Sequence, residues 1–253
     1  YLPSYELFGI FLLLRKTIIL HMNVVITGAS RGIGFAIADI FAKNGHNLFL
    51  TSKNEMKLYK AMEILQAKYG GIEIFAKPFD LSIKENAIAF ADWCLLRATP
   101  DVVVNNTGLF EPGNVIEEAD GSLEKQIATN LYSAYHITRK VVPAMQAKKS
   151  GHLFNICSIA SLEAYPGGGS YSISKFALYG FSRNLRQELM PHNIKVTAVL
   201  PGAVLTDSWG DFDNSRNRIM EAEDISKMIY AATQLSPAAC VEDIILRPQL
   251  GDL

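Results

Sequence analysis

The stretch Val24-Val-Ile-Thr27 runs without a break into Gly28-Ala-Ser-Arg-Gly-Ile-Gly34, and from there into a helical pattern with Ile33, Ile37 and Phe41 at four-residue intervals. Strand, glycine loop and helix in direct succession constrain the fold more than any other feature. A strand apolar on both faces must be covered on both sides, the habit of parallel sheets flanked by helices. Residues 47–51, 72–79, 102–105, 152–157 and 194–200 read as further short buried strands, with residues 241–246 as a candidate last one. Helical patterns over residues 57–69, 84–98, 122–148 and 171–190 separate them; Gly45 offers a stop for the first helix and Pro191 for the last. Where strand and helix alternate, right-handed crossovers build a mainly parallel sheet with helices on both faces. The 253 residues, 49% of them hydrophobic, are enough for one large core, and no repeat, low-complexity tract or linker divides them. Residues 22–253 are therefore expected to form a single α/β domain. Residues 206–222, polar and carrying Trp209, Asp211, Phe212 and Asp213, break the rhythm and read as a lid.

Charge and composition exclude several functions. With 24 basic and 25 acidic side chains the net charge is -1, so no overall field draws in nucleic acid or an anionic membrane. Cys94, Cys157 and Cys240 fit no metal or redox spacing and read as reduced, mostly buried thiols of a cytoplasmic protein. The histidines, His21, His46, His136, His152 and His192, show no ligand repeat, and no metal is expected. Residues 1–21 differ from the rest. Their apolar stretch is interrupted by Arg15-Lys16 and falls short of the roughly 20 residues that span a bilayer. A signal peptide would carry its charge before the apolar part and small residues after it. Because Met22-Asn-Val-Val-Ile-Thr27 looks like a natural beginning, residues 1–21 are expected to be a non-native or upstream extension, with an interfacial anchor as the alternative.

In its strand-to-helix setting the glycine loop has the makings of a phosphate site. Gly28, Gly32 and Gly34 let the backbone turn and approach a pyrophosphate, Ser30, Arg31 and Ile33 fill the loop between them, and free N–H groups with the helix dipole favour the anion. The plain alternative is a turn in which glycine merely permits a positive φ. The end of the second strand bears on the adenosine ribose. An acid there would accept from a 2′-hydroxyl and repel a 2′-phosphate, whereas this chain has Thr51-Ser-Lys53. Lys53 and Arg31 would supply positive charge around a 2′-phosphate, which favours NADP(H) over NAD(H). Asp80 and Leu81 would border the adenine, although Asp80 could equally cap the helix beginning near Ser82.

Tyr171-Ser-Ile-Ser-Lys175 places a phenol and an ammonium one helical turn apart, so Lys175 can favour the ionised form of a group whose ordinary pKa is about 10. Taken singly, Ser158 could end a strand, Tyr171 and Lys175 could be an exposed helix pair, and Asn130 a solvated helix residue. Taken in order, Thr27-Gly-x-x-x-Gly-x-Gly34, Asn105-Asn-Thr-Gly108, Asn130, Ser158, Tyr171-x-x-x-Lys175 and Pro201-Gly202 followed by Thr206 make the chain from Met22 to Leu253 resemble the short-chain dehydrogenase/reductase family. Thr107 departs from it, Ala being common there. The resemblance implies a Rossmann-like doubly wound domain with a seven-stranded sheet and a homodimer or homotetramer. It also implies that Ser158 polarises a carbonyl oxygen while Tyr171 donates a proton, and that Lys175 supports tyrosinate and holds the nicotinamide ribose. Asn130, expected to interrupt or bend the helix over residues 122–148, would position a water that relays protons to Lys175. Asn105 and Gly108 would support the cofactor wall, and Thr206 with the backbone after Pro201 and Gly202 would contact the carboxamide.

The substrate is less sharply marked. Pro201-Gly-Ala-Val-Leu-Thr206, Trp209-Gly210 and Glu242-Asp-Ile-Ile-Leu-Arg-Pro248 followed by Gly251-Asp252 resemble bacterial sepiapterin-reductase-like members, which implies a pteridine or small dicarbonyl substrate. A pterin needs an aromatic wall and an acid for its amino-pyrimidine edge, and Trp209, Phe212, Asp211 and Asp213 offer those types. Reduction of a 3-oxoacyl thioester is the alternative; it needs a basic surface for an acidic carrier, to which Arg139, Lys140, Lys148, Lys149, Arg183 and Arg186 would contribute. A non-catalytic NADP-binding redox sensor is the alternative of another class, but it has no need of a proton relay.

Overall fold

The structure, a computed structural model, describes residues 21–252, so the expectation for residues 1–20 falls outside the described residues. Seven strands, β1 (Asn23–Thr27), β2 (Asn47–Thr51), β3 (Ile74–Ala76), β4 (Val102–Asn105), β5 (Gly151–Ile156), β6 (Ile194–Pro201) and β7 (Asp243–Leu246), form one sheet in the order β3-β2-β1-β4-β5-β6-β7. Every pairing is parallel. The helices are α1 (Gly32–Lys43), α2 (Glu55–Lys68), α3 (Lys84–Leu95), α4 (Ser122–Ile127), α5 (Ser133–Lys148), α6 (Gly169–Leu189) and α7 (Ala222–Thr233).

Strict alternation along the strands divides the core. Val24, Ile26, Leu48, Leu50, Val102 and Val104 face α1, α2 and α7. Val25, Phe49, Val103, Leu153 and Val196 face the other way, onto α3, α5 and α6. A sheet covered on both sides tolerates no polar face, which is why its strands read as unbroken apolar runs.

Three elements differ from expectation. The strand predicted over residues 72–79 pairs only from Ile74 to Ala76; it lies at the sheet edge, and Pro78 has no N–H to offer. The helix predicted over residues 122–148 is broken at Ala128–Tyr132 by a π turn containing Asn130, the position where a bend was expected. The helix α7 went unpredicted. Its buried stripe of Ala222, Ile225, Ser226, Ile229 and Ala232 mixes small and polar residues with only two large apolar ones, which dilutes the periodic signal.

Because all strands run one way, the segments after β1, β2, β4, β5 and β6 gather at one edge of the sheet. The strand order reverses between β1 and β4, and a crevice opens at such a switch point.

Candidate active site

The glycine loop leaves β1 at this switch point. Gly28 and Gly32 hold φ of 64° and 54°, a region that disfavours any residue with a Cβ. A Cβ on Gly34 would stand 2.3 Å from the Gly28 carbonyl oxygen and 2.5 Å from Asn106 Nδ2, so the first turn of α1 seats directly on the loop. Asn106 fastens the cradle from β4: its amide donates to the carbonyls of Thr27 (3.0 Å) and Gly28 (3.2 Å), while Thr27 Oγ1 accepts from the N–H groups of Asn106 and Thr107. Thr107, the departure from the family pattern, joins the cradle through its backbone N–H. The close-packed cradle at a helix N-terminus fits a dinucleotide pyrophosphate.

Both expected cations are present and both are paired with acids. Arg31 Nη1 lies 2.7 Å from Asp207, and Lys53 Nζ lies 2.7 Å from Asp80. The Arg31 hydrogen bond holds the Asp207 carboxyl below the usual range, with Lys57 adding to the effect. Asp80 also accepts from the N–H and hydroxyl of Ser82, which closes a local turn; it does not cap the following helix, because α3 starts at Lys84 with Ile83 at its N-cap and no side-chain cap. Leu81 is buried among the core residues of the α3 side rather than open toward a ligand. The Asn105 side chain likewise turns inward, donating to Thr138 Oγ1 (3.2 Å) and Asn155 Oδ1 (2.8 Å), and only its backbone can support a cofactor wall.

Ser158 follows β5, where its hydroxyl caps the turn Ile159–Ser161 by accepting from the Ala160 N–H. Tyr171 stands in the first turn of α6. Burial pushes its phenol above the ordinary range, and its hydrogen bond with the Ser158 hydroxyl works in the other direction. Phe110, on the loop after β4, meets the Tyr171 ring edge-on with centroids 4.9 Å apart. Lys175 is 4% exposed, donates to the Ile156 carbonyl (2.8 Å) and has its ammonium 5.7 Å from the centre of the Tyr171 ring. Burial lowers its pKa to about 8. The expectation that Lys175 governs the phenol is therefore modified: in this state burial dominates Tyr171, and Ser158 is the group that opposes it.

Asn130 is buried, not solvated. Its amide donates to the Leu109 carbonyl (2.9 Å) and Ser174 Oγ (2.8 Å), and its carbonyl oxygen accepts from the Leu109 N–H (2.6 Å). A Cβ on Gly108 would stand 3.5 Å from Asn130 Oδ1 and 3.6 Å from Lys175 Nζ, so these two groups flank Gly108 together.

Pro201 closes β6, and Gly202 donates to the Leu246 carbonyl; a Cβ on Gly202 would meet Asp252 at 2.7 Å. Thr206 lies against Gly32 across the crevice. In the expected lid, Trp209 and Phe212 rest on each other at 5.3 Å, Asp211 is exposed, and Asp213 accepts from the Ser215 N–H. These contacts stay within the segment. Arg186, counted toward a basic face, is instead buried and spent on Glu242 and Asp243, while Lys140 and Lys148 pair with Asp92 and Asp101. The only role the sequence suggested for Asn106 was membership of a motif; its buttressing, and the contact of Phe110 with Tyr171, depend on partners far away in the chain.

Residues 22–217 match the short chain dehydrogenase family. The chain belongs to the short-chain dehydrogenases/reductases. As a member of that family it is an NAD(P)-dependent oxidoreductase. It is 32% identical to a 3-oxoacyl-[acyl-carrier-protein] reductase of Chlamydia muridarum over 84% of this chain and 86% of the relative. It is 30% identical to a sepiapterin reductase of Chlorobaculum tepidum over 91% of this chain and 97% of the relative. Among solved structures, an alcohol dehydrogenase from the archaeon Thermococcus sibiricus complexed with 5-hydroxy-NADP superposes with a TM-score of 0.84 at 27% identity, covering 90% of this chain and 97% of the other. A metagenomic short-chain oxidoreductase in complex with NADP gives 0.80 at 31% identity, with 91% and 99% covered.

Proposed function

We propose that this short-chain dehydrogenase/reductase uses NADPH to reduce a carbonyl to an alcohol. The observation that carries the reading is the joining of Ser158, Tyr171 and Lys175 beside the glycine cradle: a phenol hydrogen-bonded to a serine hydroxyl, with a buried ammonium behind it. Gly28, Gly32, Gly34 and the backbone around Ser30 and Ile33 would hold the pyrophosphate, Arg31 and Lys53 the 2′-phosphate, and the segment from Pro201 to Thr206 the carboxamide. When bound there, the reduced nicotinamide supplies a hydride. Ser158 hydrogen-bonds the carbonyl oxygen of the substrate, and Tyr171 delivers the proton to that oxygen as it gains charge. Lys175 keeps positive charge close to the emptied phenolate. The NADP preference is supported by the absence of an acid at the end of β2, and by neighbours whose bound cofactor is NADP.

A sepiapterin-like or small dicarbonyl substrate is supported by similarity to the Chlorobaculum tepidum enzyme over nearly its full length. The similarity to a 3-oxoacyl reductase favours the second reading, but the pairing of Lys140 and Lys148 and the burial of Arg186 leave less free positive charge for a carrier protein. A homodimer or homotetramer in a reducing, cytoplasmic setting completes the proposal; Ile173 and Phe176, apolar and exposed on α6, support self-association.

NADPH consumption with sepiapterin, simple diketones and a 3-oxoacyl thioester tests it, with Tyr171→Phe as the control. Turnover should fall by at least about 100-fold in the variant while NADPH binding is kept. Near-normal turnover in Tyr171→Phe would overturn the assignment of the acid. Selective use of the thioester would replace the pterin reading, and tight NADPH binding without turnover of any carbonyl would favour a redox sensor.

A further inference from the structure

The helix that carries Tyr171 has an unusual beginning. It opens on Gly169 after Gly167 and Gly168, its N-cap is Gly168, and no side chain of its own segment caps it. An entry through Gly167 and Gly168 into a first turn that opens on Gly169 is conformationally loose, and the N–H groups of that turn lack the side-chain acceptor that Ser, Thr, Asp or Asn at the N-cap would give. Tyr171 sits only two residues beyond the first helical residue. A group that must deliver a proton along one direction is thus placed on the least self-supporting part of the helix.

The missing acceptor comes from the loop after β4. Glu118, 52 residues before Ser170 in the chain, accepts from the Ser170 N–H at 3.3 Å and from the Ser170 hydroxyl in a second, shorter hydrogen bond. Ser170 is the second helical residue, whose N–H a capping side chain ordinarily satisfies, and a carboxylate there also complements the positive end of the helix dipole. The two segments are clasped further by the Gly113 N–H donating to Gly167 (2.9 Å) and the Gly167 N–H donating to Asn114 Oδ1 (3.0 Å). Gly169 allows this approach: a Cβ there would stand 2.3 Å from the Gly113 carbonyl oxygen. The same loop carries Phe110 against the Tyr171 ring and Leu109 into the grip of Asn130.

We propose that Glu118 is a positioning residue for Tyr171, capping α6 from the loop after β4 and so coupling the order of that loop to the placement of the proton donor. The proposal rests on the reading of Tyr171 as the acid. It acts through Ser170, without contact to the reacting atoms.

The test compares Glu118→Ala, Glu118→Gln, Ser170→Ala and the double variant Glu118→Ala/Ser170→Ala in the full chain. Glu118→Ala should lower kcat by about 10- to 100-fold, the scale of a small misplacement of a reacting group, with the NADPH Kd within twofold of wild type. Glu118→Gln, which keeps an acceptor for Ser170, should recover most of that loss. The double variant should be no worse than Glu118→Ala alone, because both changes break one connection. Hydrogen exchange of the amides of residues 170–173 should be faster in Glu118→Ala and close to wild type in Glu118→Gln. A kcat within twofold of wild type in Glu118→Ala, multiplying losses in the double variant, or unchanged exchange would each overturn the proposal. Should Glu118→Ala fail to fold, Ser170→Ala, which removes the hydroxyl bond and leaves the N–H bond, should show the same changes in kcat and exchange at smaller size, and wild-type values for both would overturn the proposal. Exchange is read without substrate, so a wild-type chain that reduces no carbonyl would refute the reductase reading while the capping result stands separately.

Discussion

Lys175 shows how much chemistry burial alone can set. Its ammonium is enclosed, has the Ile156 carbonyl as its hydrogen-bond acceptor and titrates near pH 8 rather than in the usual lysine range, because desolvation penalises the charged form. If the ammonium must be present for Tyr171 to give up its proton, the free-enzyme pH profile follows this group. We expect kcat/KM for carbonyl reduction to be level below about pH 8 and to fall above it, toward tenfold for each further unit. A profile from pH 6 to 10 checks this; a flat response through pH 9.5 would separate turnover from the Lys175 charge. Gly34 is decided by a different kind of contact. Its hydrogen faces the Gly28 carbonyl oxygen at a distance that leaves no room for a methyl group, and the obstacle is backbone. Gly34→Ala should cost about 1–3 kcal/mol in denaturant unfolding and weaken NADPH binding, since α1 must move off the loop.

At the level of elements, the segments after β1, β2, β3 and β6 bring together charges that are remote in sequence. Arg31 is held by Asp207 and Lys53 by Asp80. Arg31, Asp207 and Lys53 are exposed and Asp80 is half-buried, so these pairs contribute little stability and a 2′-phosphate can take either cation at small cost. Arg31→Ala and Lys53→Ala should each weaken NADPH binding roughly tenfold or more, the scale of one charge-assisted hydrogen bond, while NADH binding changes far less. Fluorescence titration with both cofactors measures the difference, and equal losses for the two would remove the 2′-phosphate from the account. The glycine loop, Ser158 and the Tyr171/Lys175 pair were legible because each is a local motif of fixed spacing. Glu118 was not: an acid on a long loop has dozens of acceptable roles until the fold brings Ser170 to it. Arg186 illustrates the converse. One more basic side chain on a helix reads as solvated, and only the approach of β7 turns it into a buried tie to Glu242 and Asp243.

For the molecule as a whole, His152 ties stability to pH. It lies inside the sheet, stacked on Phe154 and hydrogen-bonded to Thr197, and burial lowers its pKa to about 3. Its folded pKa is below the unfolded value of about 6.5, so as pH falls the unfolded chain takes up a proton that the folded chain refuses. The loss begins near pH 6.5 and continues to about pH 3. Between pH 6.5 and 5 it amounts to about 2 kcal/mol. Urea midpoints at pH 7 and pH 5 should show this dependence, and His152→Asn should flatten it; an equal slope in the variant would place the acid sensitivity elsewhere.

By itself the sequence determined the alternation of buried strands and amphipathic helices, the cradle at the end of β1 and the order of the reacting side chains. Those features arise from hydrophobic period, glycine freedom and one-turn spacing, all of which act over a few residues. The tertiary structure decided which charges are spent on each other, that Asn105 and Arg186 serve the interior, that burial rather than Lys175 dominates the Tyr171 phenol, and that α6 receives its cap from another segment. Each depends on desolvation or on a partner tens of residues away, and neither exists until parallel pairing closes the sheet.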